Sequence, residues 1–325
     1  LNNLNALTFD STNNLIYLAA PNGIFGVYNR TDGITSDLRA TDTGNWIGIT
    51  GINDLAFDSN SSLIYLGGST GLFGVYNRTD GITSYLNQTD TGNWFGTAAI
   101  NDLAFDSTNN LIYLAGQSGE FGVYNRTDGI TSDLRATDTG NWMGATQIYE
   151  VTFDSKNNLI YLSGVSALFG VYNRTDGITS DLRATDTNNW MGTQGFNGLG
   201  YDSVNDLIYL GGDNGQFGVY NRTDGISSNL SGTDPGNWHS ENHHTNALEF
   251  NSNNGLVYLA AQSGRFGVYM RSDTPSQPTN LQPANNTKVR TLTPQLNWSN
   301  SVDDDALNYI LDISNDTDFS NIVYK

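Results

Sequence analysis

The stretch FGVYNRTDG at residues 25–33 recurs through most of the chain and decides how it folds. Identical copies follow at a constant spacing of 48 residues, beginning at Phe73, Phe121, Phe169 and Phe217. A divergent copy, FGVYMRSD, begins 49 residues later at Phe266. A repeat of this length is the signature of a solenoid, a propeller or another array, so we expect function to be a property of the whole array.

The second repeat shows how one unit folds. Ile52–Asp58 predicts a first strand that ends in the polar turn DSNSS. The next run, LIYL at residues 63–66, is apolar at every position, which predicts a strand covered on both faces. LFGVYN at residues 72–77 predicts a third strand, and the Asp and Gly of the following NRTDG suit a tight turn. Residues 82–88 predict a fourth, more polar strand.

Four short strands in each unit predict an all-β protein with the architecture of a β-propeller. A β-helix fits less well, because its rungs are shorter and its strands pair between repeats. The pattern of the first three strands occurs six times and that of the fourth occurs five times. We therefore expect six four-stranded blades, of which the sixth lacks its outer strand in this sequence. A seventh blade would require sequence outside this chain.

The composition changes after residue 273, which is where the predicted propeller (residues 1–273) ends. Prolines become frequent, and residues 274–279 read as a linker. Residues 280–325 contain three stretches with alternating apolar positions, as expected for strands. The segment PQLNWSNSVDDDALNYILDIS at residues 294–314 resembles the fibronectin type III-like modules of microbial surface and secreted proteins. This resemblance implies a partial β-sandwich at the C-terminal end.

The charge balance excludes some classes of partner. With 33 acidic and 14 basic residues the formal net charge is −19, whereas nucleic acids and anionic membrane surfaces are bound by basic patches. Cysteine is absent, so disulfides and thiol chemistry are excluded. No apolar run approaches the length of about 20 residues that a membrane-spanning helix needs. No signal-like segment begins the sequence, and we expect a targeting segment to lie elsewhere.

Glycosylation is the first candidate modification, because Asn-x-Ser/Thr sequons occur inside each full copy of the repeat motif. A sequon needs an exposed turn, which the predicted hairpin after the third strand provides. The alternative is that these Asn and Thr residues only form side-chain-stabilised turns. The eleven sequon asparagines are Asn29, Asn77, Asn125, Asn173, Asn221, Asn60, Asn87, Asn229, Asn285, Asn297 and Asn315.

An Asn-Trp pair stands at each joint between consecutive blades. An indole beside amide and carboxylate groups can stack on the apolar face of a sugar ring while the polar groups bind its hydroxyls. The alternative is that each Trp fills the wedge between adjacent blades. The candidate ligand-binding residues are Asn45, Trp46, Asn93, Trp94, Asn141, Trp142, Asn189, Trp190, Asn237 and Trp238.

Three resemblances bear on this choice. The order LxFDxxxNLIYL (residues 7–18), FGVYNRT and TDTGNW is similar to the repeat of tachylectin-type lectin propellers, which implies binding of N-acetylated sugars between blades. The same order of strand, Asp turn and strand is similar to propeller repeats of two-component sensor ectodomains. A propeller followed by a fibronectin-like module, with many sequons and strong acidity, resembles archaeal cell-surface and surface-layer glycoproteins.

Metal binding has two weak candidate sites. The histidines and the glutamate of HSENHH could bind a transition metal, or they could be ordinary loop residues: His239, Glu241, His243 and His244. The acidic run Asp303, Asp304 and Asp305 could hold Ca²⁺ through carboxylate oxygens, or it could belong to a turn of the fibronectin-like module. No other cofactor is expected.

Catalysis is not expected, because an active site requires unlike residues that converge, whereas these repeats are nearly the same. The acid that follows each first strand, from Asp10 to Asp202, is explained by hairpin turns and becomes Asn251 in the sixth repeat. Glu150 and Glu241 are the main acids outside the repeat pattern, and the sequence gives neither a partner. A propeller hydrolase or lyase is therefore the weakest alternative.

These observations favour a non-enzymatic extracellular glycoprotein of the cell surface with a structural, adhesive or assembly role. Its propeller would act as a rigid disc whose repeated sites contact other surface proteins, copies of itself or glycans. The principal alternative is a lectin that gains avidity from equivalent weak sites at the Asn-Trp joints. Neither hypothesis involves nucleic acid or direct membrane insertion of this segment.

Overall fold

The structure is a computed structural model of the 325-residue chain. It describes residues 4–42, 44–89, 92, 94–186, 189–233, 244–262, 265–271, 313–314 and 322–324. The chain separates into two compact units, of which the first comprises residues 1–252 and 257–269 and the second comprises residues 253–256 and 270–325.

Each repeat folds into one antiparallel sheet in which strands adjacent in sequence pair with each other. Blades 1 to 3 comprise β1 (Ala6–Asp10), β2 (Leu15–Ala20), β3 (Ile24–Asn29) and β4 (Ile34–Asp37); β5 (Ile52–Asp58), β6 (Leu63–Gly68), β7 (Leu72–Asn77) and β8 (Ile82–Tyr85); and β9 (Ile100–Asp106), β10 (Leu111–Gly116), β11 (Phe121–Asn125) and β12 (Ile130–Asp133). Blades 4 to 6 comprise β13 (Ile148–Asp154), β14 (Leu159–Gly164), β15 (Phe169–Asn173) and β16 (Ile178–Asp181); β17 (Phe196–Asp202), β18 (Leu207–Gly212), β19 (Phe217–Asn221) and β20 (Ile226–Asn229); and β21 (Thr245–Asn251), β22 (Leu256–Ala261) and β23 (Arg265–Met270).

The predicted all-β propeller of six blades is confirmed. Blades 1 to 5 have four strands, and blade 6 has three among the residues that the structure describes. The fourth strand is shorter than predicted, since β8 ends at Tyr85 and a single 3-10 turn follows it. The 3-10 turns are Arg39–Thr41, Ser69–Gly71, Asn87–Thr89, Gln117–Gly119, Arg135–Thr137, Arg183–Thr185, Asp213–Gly215 and Ser231–Thr233. In the described part of the chain no helix is long and apolar enough to cross a membrane.

The second strands of blades 2 to 5 are buried on both faces, as their unbroken apolar pattern predicted. Ile64, Tyr65 and Leu66 of β6 are at most 2% exposed. Tyr65 stacks on Phe73 of its own blade with 6.2 Å between ring centroids, and Phe73 meets Tyr124 of the next blade edge-on at 5.4 Å. The same arrangement recurs, so that apolar clusters join blades 1 and 2, 2 and 3, 3 and 4, 4 and 5, and 5 and 6.

A β-bulge near the start of the first strand recurs in blades 2 to 5. In blade 2, Ile52 pairs with Gly68 but Asp54 pairs with Gly67, so Asn53 is the extra residue. The register shifts at the equivalent place in blades 3, 4 and 5. A bulged residue is released from the ladder and its side chain is re-aimed. This local irregularity is what brings a row of polar side chains together.

Within the second unit the described residues form one antiparallel pair, β24 (Ile313–Ser314) with β25 (Ile322–Tyr324). The predicted linker at residues 274–279 lies outside the described residues, as does most of the predicted fibronectin-like segment, including Asp303, Asp304 and Asp305.

Candidate functional site

A polar pocket of about 420 Å³ opens where the first strands of blades 2 to 6 begin. The bulged residues line it, and side chains from the loops between second and third strands complete it. Its polar lining includes Asn53, Asn101, Tyr149, Glu150, Asn197 and Asn246.

The bulged asparagines lock each blade to the next. Asn53 Nδ2 donates to the carbonyl oxygen of Ile100 at 2.9 Å, and Asn101 Nδ2 donates to that of Ile148 at 2.6 Å. The side-chain amide nitrogens of Asn53 and Asn101 are therefore already hydrogen-bonded where these residues line the pocket. The repeated part of the pocket therefore has a structural role in addition to any binding role.

The pattern breaks on the opposite side, where Tyr149 replaces asparagine. Asn197 Nδ2 donates to Asp213 Oδ1 at 2.8 Å instead of to a neighbouring strand, and His244 Nδ1 contacts the same oxygen. Tyr149 and the hydrogen bond from Asn197 to Asp213 thus distinguish this side of the pocket from the side that Asn53 and Asn101 line.

Three carboxyl groups follow the bulged residues of blades 2, 3 and 4. Asp54 Oδ2 accepts the backbone N–H of Leu103 at 2.9 Å, and Asp102 Oδ2 accepts that of Val151 at 2.6 Å. Burial raises the pKa of Asp102, and the carboxyls of Glu150 and Asp54 raise it further. Burial is also the main cause that raises the pKa of Glu150, and the negative charges of Asp54 and Glu249 raise it further. The acids therefore retain protons at pH values where a free carboxyl has lost them.

Sequence reasoning found no partner for Glu150, whereas the structure places it in the electrostatic environment of Asp102. The signal was present, because residues 54, 102 and 150 are spaced by one repeat and hold Asp, Asp and Glu. The other non-repeat acid, Glu241, lies outside the described residues.

Asp102→Asn is expected to stabilise the protein at pH 8 by on the order of 1 kcal/mol. The folded state binds a proton at Asp102 more tightly than the unfolded state does, so stability falls as pH rises from the unfolded pKa towards the raised folded pKa. Asparagine keeps an oxygen for the Val151 N–H but carries no charge. Urea unfolding at pH 5 and pH 8 measures how much the free energy of unfolding falls between these two pH values. This fall should be smaller in the variant.

Asp37→Asn is the control, and it should change stability at pH 8 in the opposite direction. A side-chain hydrogen bond from Arg39 lowers the pKa of Asp37 on the exposed surface, so its contribution is present above the unfolded pKa and is lost as pH falls. This variant should be less stable at pH 8 by under about 1 kcal/mol. A loss of stability at pH 8 in Asp102→Asn would show that the charged carboxylate is required there.

The Asn-Trp joints prove to be tight turns. At the first joint, Asp42 Oδ1 accepts the backbone N–H of Trp46 at 3.0 Å and Oδ2 accepts that of Ile47 at 2.8 Å. Asn45 has a φ of +50°, a left-handed conformation that asparagine tolerates better than most residues. Asn141 and Asn189 share this backbone conformation, whereas Asn93 and Asn237 lie outside the described residues. The asparagine is therefore explained by backbone geometry.

The indole rings lie over the glycine of the third strand in the next blade. A β-carbon built on Gly74 would come within 2.1 Å of a ring carbon of Trp46. Trp94 and Trp190 are at most 9% exposed, while Trp46 and Trp142 are half-buried. This supports wedge packing between blades in the four described joints, and Trp238 lies outside the described residues.

The comparisons with known proteins identify an architecture. No protein-family model and no curated protein matches the chain. Among solved structures, a chain of the mitotic checkpoint complex aligns with a TM-score of 0.61 at 14% identity, covering 83% of this chain and 76% of that one. The likeness is one of fold.

Two further structures support the same conclusion. The extracellular domain of a putative one-component system from B. thetaiotaomicron has a TM-score of 0.63 at 18% identity over 84% of this chain, which spans 32% of that protein. A computationally designed protein has a TM-score of 0.56 at 18% identity, with 82% and 71% of the two chains covered. The propeller therefore occurs in proteins of quite different kinds.

The aspartate that ends the first strand in each of blades 1 to 4 pairs with an arginine of the next blade. Asp10 is fully buried, accepts the backbone N–H groups of Thr12 and Asn13 at 3.0 and 3.1 Å, and pairs with Arg78 of the next blade at 2.5 Å. Sequence reasoning predicted the turn but missed the arginine. The equivalent pairs are Asp58–Arg126, Asp106–Arg174 and Asp154–Arg222.

The sequons of the repeat motif lie on exposed hairpins. Asn29 Nδ2 donates to Asp32 Oδ2 at 2.9 Å, and its Oδ1 accepts the N–H of Thr31 at 2.9 Å. The same turn occurs at Asn77, Asn125, Asn173 and Asn221.

The other sequons have individual environments. Asn60 Nδ2 donates to the carbonyl of Ser107 at 3.0 Å, and Asn229 is exposed beside Ser231. Asn87 differs most. Its Nδ2 donates to the carbonyl oxygen of Gly71 at 2.5 Å, and its Oδ1 accepts the backbone N–H of Phe73 at 2.8 Å. Asn285, Asn297 and Asn315 lie outside the described residues.

Of the candidate metal ligands in HSENHH, the structure describes His244. His244 contacts Asp213, while His239, Glu241 and His243 lie outside the described residues. In the part of the chain that the structure describes, no three His, Cys, Asp or Glu side chains form a group able to hold a metal ion.

Proposed function

We propose that the protein is a non-enzymatic interaction module of an extracellular cell-surface glycoprotein, with surface proteins or glycans as partners. One observation carries the proposal: the polar side chains common to the repeats are used in joining blades or forming turns. The fully buried Asp58 pairs with Arg126 of the next blade, and Asn77 closes its own hairpin with Asp80. The repeats thus supply a rigid support for what their exposed hairpins present.

The exposed hairpins combine an acceptor asparagine with an apolar neighbour. In the first hairpin, Asn29 pairs across the turn with Ile34, and the same pairing recurs in blades 2 to 5. These isoleucines are between 42% and 58% exposed: Ile34, Ile82, Ile130, Ile178 and Ile226. A sugar attached to the asparagine could cover the isoleucine with its apolar face. Repetition of the hairpin also favours multivalent contact.

The extracellular location is supported by the likeness to an extracellular domain. Labelling of intact cells with a membrane-impermeant biotin reagent tests it. We expect labelling before lysis. Labelling that appears only after lysis would contradict a surface location, whatever the mass of the protein.

Intact-mass measurement on protein from its native source tests the glycoprotein part. We expect a heterogeneous mass above that of the unmodified polypeptide. Asn77→Gln should remove one increment of that excess. Asn87→Gln is the matched control and should leave the mass unchanged, because the Asn87 amide bridges the backbone of Gly71 and Phe73 in a partly buried site, whereas the hydrogen bonds of Asn77 lie on the exposed surface. A mass equal to the bare sequence would overturn this part of the proposal.

A further inference from the structure

Glu120 is a buried acid at a repeat position where no other blade has an acid. It stands directly before β11 and is only 8% exposed. Its Oε2 is almost inaccessible to water and has no hydrogen-bond partner among the residues that the structure describes. A buried carboxylate oxygen without a partner is costly, so such a group either gains a partner or carries a proton. The equivalent residues of the other blades are Ile24, Leu72, Leu168, Gln216 and Arg265.

Gln216 shows which hydrogen bonds a polar side chain makes at this position. Its Nε2 donates to the carbonyl oxygen of Trp190 at 3.0 Å and to that of Met191 at 2.7 Å. Both acceptors belong to the turn that leads into blade 5, in which Gly192 has a φ of +57°. A donor on the side chain is therefore what joins this position to the turn.

The same turn precedes blade 3. Trp94 and Phe95 stand 26 and 25 positions before Glu120, the same separations that the two hydrogen bonds span in blade 5. Gly96 follows them with a φ of +49°. The turn is closed by Ala98, whose N–H donates to the carbonyl oxygen of Phe95 at 2.8 Å. The carbonyls used in blade 5 thus have counterparts here, and a carboxylic acid has one hydrogen to donate to them, whereas a carboxylate has none.

We propose that Glu120 holds a proton in the folded protein and donates its O–H to the carbonyl oxygen of Trp94 or Phe95, so that the turn before β9 is anchored in a pH-dependent way. The proton comes from solvent and returns to it as pH rises. A carboxylate would then face carbonyl oxygens, and the turn would lose its anchor. The turn leads into Ala99, which lines the polar pocket, so the pH-sensitive contact lies beside that pocket.

The groups around Glu120 leave burial as the main influence. Burial is the largest cause that raises the pKa of Glu120. Its own backbone N–H and the charge of Arg135 lower the pKa, whereas the charge of Asp133 raises it, and Arg135 pairs with Asp133 at 2.7 Å. Asp90, which precedes the turn, lies outside the described residues. Because the folded pKa lies above the unfolded one, the stabilisation is present below the unfolded pKa and is lost as pH rises through the folded pKa.

Carbon-13 NMR of the whole chain, labelled at the glutamate carboxyl groups, tests the proposal. The chain has four glutamates, and Glu120→Gln identifies the resonance of Glu120. We expect this resonance to titrate with a midpoint above the ordinary glutamate pKa of about 4.3. Gln216→Glu is the matched variant and should add a resonance that also titrates above this value, because it places a carboxyl at the same repeat position. A midpoint for Glu120 at or below the ordinary value would overturn the proposal.

Hydrogen exchange tests the turn itself. Between pH 5 and pH 8, after correction for intrinsic exchange rates, the protection of the Ala98 N–H should fall more in the unchanged chain than in Glu120→Gln, whose amide can donate at either pH. Equal falls would show that Glu120 does not anchor the turn. A titration midpoint that changes between sodium, potassium and choline salts would mean that a bound cation satisfies the carboxylate, which would also contradict the proposal. The inference is independent of the surface role and of glycosylation.

Discussion

Replacing Asp106 with alanine is expected to lower the free energy of unfolding by about 3–5 kcal/mol, the range for breaking a buried ion pair. Asp106 is fully buried, and Arg174 of the next blade lies 3.3 Å from its Oδ2. The other oxygen accepts the backbone N–H groups of Thr108 and Asn109, each at 3.0 Å. The substitution thus leaves two turn N–H groups and one arginine without their acceptor. Urea unfolding measures the loss.

Two further variants locate the cause of this loss. Asp106→Asn retains an oxygen for the turn but not the charge, so its cost should be intermediate. Asp133→Ala removes the partner of Arg135, 2.7 Å away on the exposed surface, and should cost under about 1 kcal/mol. Equal small costs for the buried and the exposed aspartate would show that the pairs between blades do not hold the propeller together.

The fold could be predicted because each repeat carries the same local signals. The unbroken LIYL run requires cover on both faces, and Ile64 and Leu66 are indeed fully buried. Asp58 was predicted as a turn residue, and its Oδ1 accepts the N–H of Asn60 at 2.8 Å. Such contacts join residues that are close in sequence, so the pattern within one repeat is enough to predict them.

Contacts between repeats could not be predicted in the same way. Arg126 reaches an aspartate 68 residues earlier in the chain, a separation that no single repeat contains. The bulge at Asn53 depends on strand register, which the residue types alone do not specify. Leu55 is 4% exposed because it packs with Tyr17 and Phe25 of the preceding blade, a contact that the residue types of one repeat do not reveal.

Trp46→Ala is expected to cost about 3 kcal/mol, at the lower end of the range for buried tryptophans because Trp46 is half-buried. Its indole packs 5.4 Å from the ring of Tyr85 and lies directly over Gly74. Gly74→Ala places a β-carbon 2.1 Å from the indole and should cost about 1–3 kcal/mol through overpacking.

The double variant separates steric conflict from loss of packing. With the indole removed, the three nearest atoms that conflict with a β-carbon at Gly74 are gone, since all of them belong to Trp46. Gly74→Ala should then cost less than in the unchanged chain, which gives a coupling energy of about 1–3 kcal/mol in a double-mutant cycle. A residual cost is expected, because at the equivalent Gly122 and Gly170 a serine carbonyl of the fourth strand lies 2.6 Å from the added β-carbon. Gly140→Ala is the control, because no heavy atom lies within 4 Å of its added carbon. Additive costs would mean that the indole does not occupy the surface of Gly74 in solution, and the joint would then be open enough to bind a ligand.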